Sequence, residues 1–289
     1  MSESSFIEAL RTLPLHPGAR NLEDDCAVLE IGSETLVLTH DMMAEGTHWL
    51  PGADPFDIAW KLVAVNLSDL AAKGAEPLGV LLGHSLGEGD DRFLEGLNAV
   101  LAEYDVPLLG GDTIRAEGPR TLGLTAIGRA THTPVPSRSG ARDGDHIYVS
   151  GELGRAMLGF EALKDGTGGD HEAYSRPRPL LDEGRALAPV VSAMMDVSDG
   201  LLLDCSRMAC AAGSVAFELD SAAIPVAAPA RFDECIRWGD DYALLFTAAP
   251  GVKLPVSSTR IGSVRTAGPG EARLTIDGKP VSGTLGYQH

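Results

Sequence analysis

Apolar positions along the chain switch between two periods. Residues 26–31 and 35–40 are rich in Val, Leu and Ile and are separated by Gly32-Ser33-Glu34, which predicts two strands joined by a turn. Ile58, Ala59, Leu62, Val63, Leu67 and Leu70 then recur at helical spacing. That helix is expected to open at Asp54-Pro55, an N-cap residue followed by the imino acid suited to the first turn, and to stop at Gly74. A strand over 79–86, a helix over 90–104, an apolar run over 106–109 and a strand over 121–128 follow. Beyond residue 145 the pattern predicts strands at 146–150, up to Asp196, and at 215–219, with helices near 153–164, 179–190 and 201–212. Strands near 243–248, 258–264 and 272–276 close the chain, with an Asp277-Gly278 turn. The Pro- and Ser-rich stretch from Thr131 to Gly140 interrupts this order. The expectation is an α/β (α+β) protein of two domains, 1–133 and 134–289.

Six aspartates stand where these elements turn: Asp25, Asp41, Asp69, Asp112, Asp196 and Asp199. Any one of them suits a turn or a helix N-cap. Together they predict a shared site for hard cations, and magnesium with its oxygen ligands commonly accompanies nucleotide phosphates. On the helix, Asn66 and Asp69 are three apart and share a face. Gly110-Gly111, after a buried strand, would expose N–H groups to a phosphate while Asp112 reaches the metal, the plain alternative being a tight turn. In Asp196-Val197-Ser198-Asp199-Gly200, a strand end followed by a helix start places Ser198 and Asp199 where helix amides point. Arg138 is a candidate phosphate clamp, and His48, after the second strand, a candidate substrate contact.

Composition narrows the classes. The net charge of −18, from 23 basic and 41 acidic residues, argues against nucleic-acid and anionic-membrane surfaces. No apolar run reaches the length of a membrane span, and the acidic start Met1-Ser2-Glu3 is not that of a signal peptide. Cys26, Cys205, Cys210 and Cys235 form no zinc spacing and read as reduced thiols of a cytoplasmic protein. No P-loop and no dinucleotide fingerprint occurs, so a bound ATP needs another cradle.

Five words in order carry a resemblance. They are Asp24-Asp25-Cys26-Ala27, the helix segment from Ala64 to Ala75, Gly110-Gly111-Asp112-Thr113, Arg138-Ser139-Gly140-Ala141 and Asp196-Val197-Ser198-Asp199-Gly200. From about Asp24 to Tyr287 the chain resembles the thiamine-phosphate kinase (thiamine-monophosphate kinase) family, of the aminoimidazole-ribonucleotide synthetase-like superfamily. The resemblance implies a homodimer joined through N-terminal sheets, with ATP held between the two domains. It implies magnesium on Asp25, Thr39, Asp41, Asp69, Asp112, Asp196 and Asp199, and ATP on Gly111, Asp112, Arg138 and Ser198. Asp25, Asp112 and Asp199 would be central to catalysis, while His48, Asp240 and position 284 would face thiamine monophosphate.

Four positions depart from the family pattern. Glu23 precedes Asp24-Asp25 where glycine is usual, and His40 replaces a small hydroxyl residue. Asp240, in Gly239-Asp240-Asp241-Tyr242, is one methylene shorter than the usual glutamate, and Thr284 replaces an aromatic. The implied reaction is magnesium-dependent transfer from ATP to a phosphomonoester, yielding thiamine diphosphate. The competing readings are another ATP-using enzyme of the superfamily and a nucleotide-binding module without catalysis.

Overall fold

A computed structural model describes residues 2–288. The first half of the chain runs α1 (Glu3–Leu10), β1 (Ala27–Ile31), β2 (Glu34–Ala44), α2 (Pro55–Ala72), β3 (Ala75–Ser85), α3 (Asp90–Glu103), β4 (Leu108–Ile114) and β5 (Thr121–Ala130). Its five strands form one sheet in the order β1-β2-β5-β3-β4, antiparallel except for the parallel β3–β4 pair. The second half runs β6 (His146–Val149), α4 (Arg155–Lys164), α5 (Glu172–Ser175), α6 (Leu181–Leu187), β7 (Ala193–Asp196), α7 (Leu201–Ala211), β8 (Val215–Leu219), α8 (Phe232–Trp238), β9 (Leu244–Ala248), β10 (Thr259–Thr266), β11 (Leu274–Ile276) and β12 (Lys279–Pro280). These strands form a second sheet, ordered β12-β11-β8-β10-β6-β9-β7. The α/β class with two sheets is as the pattern predicts.

Helix α2 joins the halves. Asp54 caps it, accepting from Phe56 N at 3.0 Å, and Gly74 at φ +60° follows its end. Its apolar stripe meets both sides: Leu62, Leu67 and Leu70 share one core with Val80 and Leu124 of the first sheet and with Leu187, Met194 and Phe246 of the second half. Truncating such a fully buried leucine to alanine costs about 2–5 kcal/mol. A separate core, built on Ile147, Leu202, Phe217 and Leu245, holds the second sheet against α7. The central helix therefore carries its polar positions, Lys61, Asn66, Ser68, Asp69 and Lys73, into the joint between the halves, where they are buried.

Several segments differ from expectation, among them the short helices α5 and α8, which the pattern did not predict. Gly110-Gly111-Asp112-Thr113 is part of the edge strand β4 rather than a turn. The reason lies in the approach to β3, where a Cβ on Gly111 would fall 1.9 Å from the Leu82 carbonyl oxygen. At the N-terminus, α1 is a helix the periodicity did not reveal, capped by Ser2, whose side chain accepts from Ser5 N. No described helix is long and apolar enough to cross a membrane.

Candidate active site

Between the halves lies a cavity of about 960 Å³ with three distinct stretches of wall. Its middle is carboxylate: Asp25, Asp41, Asp69, Asp196 and Asp199 all line it. One end is aromatic, with Phe160, Tyr174, Trp238 and Tyr242 beside His48, Lys61 and Asp240. The remaining wall includes Ile7 and Arg11 of α1, Leu22, and Arg207, Cys210 and Ala211 of α7.

Asp25, Asp69 and Asp196 converge so closely that one carboxylate oxygen from each lies within 4.8 Å of the others. They arrive from the start of β1, from α2 and from the end of β7. Asp69 is fixed by Thr39, whose hydroxyl donates to it, and Asp196 by the hydroxyl of Ser68, one residue before Asp69 on α2. Asp41 sits on β2 with its N–H bonded to Asn66 Oδ1 at 3.0 Å, so Asn66 holds the strand rather than offering a ligand.

The three carboxylates are in different electrostatic states. Burial alone would raise Asp25, but Arg138 and Lys73 beside it outweigh burial and hold it well below the usual carboxylate range. Lys73 is fully buried, with Nζ 2.6 Å from Asp25, 2.5 Å from Asp24 and 3.1 Å from the Met194 carbonyl. Asp69, by contrast, is raised well above its ordinary value by burial and by the charges of Asp41, Asp196 and Asp25. Burial, then the charge of Asp25, pushes Asp196 up to about 7. The buried oxygens of Asp69 and Asp196, which repel each other and Asp25, are what a hard divalent cation satisfies, so the residues present fit magnesium. Arg138 adds a further anion-seeking group, since its Nε is buried without a hydrogen-bond partner.

Ser198 and Asp199 lie on the cavity wall between β7 and α7, as the motif implied, though Gly200 rather than either of them is the N-cap of α7. Asp199 is ion-paired with Arg207 and its N–H donates to Asp204 Oδ2 at 3.2 Å. Opposite it the chain doubles back: Asp240 N donates to the Ser198 carbonyl at 2.7 Å. Gly239 makes that approach possible, since its φ is +94° and a Cβ there would stand 2.4 Å from the Ser198 oxygen. Asp240 receives the Tyr242 hydroxyl at 2.8 Å and Lys61 Nζ at 2.7 Å. Asp241, the next residue, turns away and accepts from Gly154 N at the start of α4. His48 lines the aromatic end; its Nδ1 accepts from Ala44 N, and its carbonyl accepts from Lys61 and Tyr174.

Four predicted residues are not on this wall, the first being Thr39, which is buried behind Asp69. Asp112 and Gly111 stand on β4, and Asp112 accepts only from the adjacent Thr113 N among the hydrogen bonds described. Asp41 is opposite Leu124, Leu124 opposite Leu82 and Leu82 opposite Gly111, so three strand spacings, about 14 Å, separate Gly111 from Asp41. Thr284 also lies off the cavity, its carbonyl held by Arg237, while Tyr287 reaches the wall. Conversely, Lys61, Arg207, Phe160 and Tyr174 belong to the wall and carried no sequence motif, while Lys73, behind Asp25, and Trp238 fell within matched words without being singled out.

Family models match both halves: "AIR synthase related protein, N-terminal domain" over residues 23–130 and its C-terminal counterpart over 142–257. The thiamine-monophosphate kinase of Salmonella typhimurium is 39% identical, covering 78% of this chain and 74% of that protein. That of Methanospirillum hungatei is 32% identical over 100% of this chain and 99% of its own length. The chain belongs to the thiamine-monophosphate kinase family. A solved structure, AaThiL complexed with AMPPCP and TMP, superposes with a TM-score of 0.88 at 27% identity, covering 100% of this chain and 97% of that one. The family stretch 23–130 contributes Asp25, Asp41 and Asp69 to the cavity, and 142–257 contributes Asp196, Asp199 and Asp240. Arg138 falls in the connector between the two matched stretches, and Tyr287 beyond the second.

Proposed function

We propose that this chain transfers the γ-phosphoryl group of ATP to the phosphate of thiamine monophosphate, with magnesium on Asp25, Asp69 and Asp196 and with Asp41 and Asp199 close by. The observation that carries this reading is the convergence of those three carboxylates on the wall of a cavity that also presents aromatic and basic side chains. The names of the relatives and the ligands of AaThiL support the same pair of substrates.

The acceptor needs no general base, because a phosphomonoester with a second pKa near ~6 is largely a dianion at neutral pH. The difficulty is bringing two highly charged phosphates together, and magnesium, when bound, supplies the charge neutralisation. The chain supplies position. Asp25 stays ionised between Arg138 and Lys73, and Arg138 keeps an unpaired Nε for an anion. The backbone bond between Asp240 and Ser198 couples the acceptor end to the phosphate wall.

The active form we propose is a homodimer through the first sheets. Edge strand β4 is exposed along its whole length, and Leu108, Leu109 and Ile114 on it, with Met42 on β2, offer apolar surface. Gly111 and Asp112, too far from the carboxylates of their own chain, would then serve the site of the second copy. Four free cysteines support a reducing, cytoplasmic setting. The domain division is placed in the connector near residue 134.

Purified protein with ATP, magnesium and thiamine monophosphate is expected to form ADP and thiamine diphosphate, and to stop when a chelator is added. ATP binding with no such product would sink the reading.

A further inference from the structure

Five side chains of alternating charge stand in a row behind the carboxylate cluster. Arg20 lies 2.5 Å from one oxygen of Asp24, and Lys73 Nζ bridges the other oxygen, at 2.5 Å, to Asp25 at 2.6 Å. Arg138 is ion-paired with the remaining oxygen of Asp25. The row closes on itself, because Arg20 also donates to the carbonyls of Val135 and Pro136, at 3.0 and 2.9 Å, in the connector that carries Arg138. The two cations on Asp25 are not alike. Lys73 is fully buried, with its three N–H donors on Asp24, Asp25 and the Met194 carbonyl. Burial would lower its pKa, but Asp24 and Asp25 outweigh burial and hold it charged. Arg138 stands on the cavity wall, donates only to Asp25 among the hydrogen bonds described, and keeps Nε without a partner.

We infer that Lys73 is a positioning residue: as the permanent counter-ion of Asp25, it lets Arg138 leave that carboxylate for the phosphates of an incoming nucleotide. This rests on the reading of the phosphoryl donor as ATP. Charge decides which cation can move. Arg20, Lys73 and Arg138 face Asp24 and Asp25, so the row holds one cation more than it has carboxylates. With the Arg138 guanidinium gone, two cations still balance two carboxylates, and no buried charge is left alone. Lys73 cannot take the ligand itself, since its donors are filled and it does not line the cavity. The connector stays in place when the guanidinium moves, because Arg20 holds it at Val135 and Pro136 without using Arg138. A guanidinium suits the task, its planar fork meeting phosphate oxygens two at a time.

The test measures binding of the ATP analogue AMPPCP, at saturating magnesium, to the full chain and its variants by calorimetry. Lys73→Met keeps an apolar stem and removes the charge, so Arg138 becomes the obligatory partner of Asp25. AMPPCP is expected to bind this variant about tenfold more weakly. In an Arg138→Gln background the same substitution should change affinity by less than about twofold, because no guanidinium is left to trap. Asp24→Asn keeps an acceptor for Arg20 and Lys73 and adds to the cationic excess. It should tighten AMPPCP about threefold, again only where Arg138 is present. Unchanged affinity in Lys73→Met overturns the inference, as does an equal loss with and without Arg138, which would make Lys73 merely structural. If the Lys73→Met chain does not fold, Asp24→Asn decides: affinity that stays the same or weakens overturns the inference. Product formation is read separately: a wild-type chain that forms no thiamine diphosphate, while the variants shift AMPPCP binding as expected, removes the kinase reading and leaves Lys73 in its role. A wild-type chain that does not bind AMPPCP removes both.

Discussion

Lys61 of α2 reaches across the joint between the halves and places Nζ 2.7 Å from Asp240 Oδ2. Its side chain is 4% exposed, so the ammonium is dehydrated and depends on Asp240, the His48 carbonyl and the Tyr174 ring. The pair holds the Asp240 carboxylate at the cavity wall. Asp240→Ala is expected to raise the KM for thiamine monophosphate at least tenfold with the KM for ATP unchanged. Lys61→Met and Asp240→Asn should each destabilise by about 1–3 kcal/mol, the partial exposure of Asp240 keeping the figure modest. The double variant should lose about 1 kcal/mol or more less than the sum. Additive losses in urea unfolding would show that the contact is not coupled.

The raised carboxylates make a prediction about pH. Asp69 and Asp196 bind protons more readily in the folded chain than in the unfolded one, where carboxylates titrate near ~4. Between about pH 4 and 7 the native state therefore holds more protons, and the contribution of these groups to stability falls as pH rises. Without metal the protein should melt lower at pH 8 than at pH 6, and magnesium should raise Tm more at pH 8, where it does not displace protons. Asp196→Asn removes one repelling charge and keeps an acceptor for Ser68. It is expected to raise the metal-free Tm at pH 8 while abolishing the magnesium shift. A variant that still responds to magnesium like the wild type would take Asp196 out of the metal site.

Much of this site was legible because its carboxylates end predicted elements: Asp25 before the first strand, Asp196 at the close of a short apolar run, Asp69 on the face of a periodic helix. The cations were not. Lys61 and Lys73 sit in a helix pattern where lysine ordinarily faces water, and their partners Asp240, Asp24 and Asp25 are remote in sequence. Periodicity records the burial of apolar groups, and a buried lysine is defined only by a long-range contact. The aromatic wall is similar, since Phe160 and Trp238 come from two short helices that meet only in the fold. Gly110-Gly111 misled for another reason: glycine marks turns and close strand approaches alike, and only the Leu82 carbonyl distinguishes them.

Asp199→Asn tests the phosphate side. Asp199 is paired with Arg207 and close to the buried Asp204, so the neutral amide keeps the shape and loses the charge. Transfer is expected to fall by about a hundredfold or more, with Tm within a few degrees of wild type, as for loss of a charge that acts on the phosphates. Near-wild-type turnover in the folded variant would remove Asp199 from the reaction.

The position of Asp112 yields the sharpest test of the dimer. With Gly111 about 14 Å from Asp41 in the same chain, Asp112 acts on the carboxylate cluster only if a second copy presents it. Asp112→Asn and Asp199→Asn should then each be inactive alone, yet complement when their subunits exchange. In a dimer carrying one of each, one site has both defects and the other has neither. Random exchange of a 1:1 mixture makes half of the dimers mixed, each with one intact site of two, so activity should recover to roughly a quarter of wild type. Leu109→Glu, which puts a charge on the exposed edge strand, should lower the dimer fraction in sedimentation and abolish that recovery. Because each chain keeps its own defect when sites are built within one subunit, a mixture that stays inactive while exchanging subunits freely would return Asp112 to its own chain.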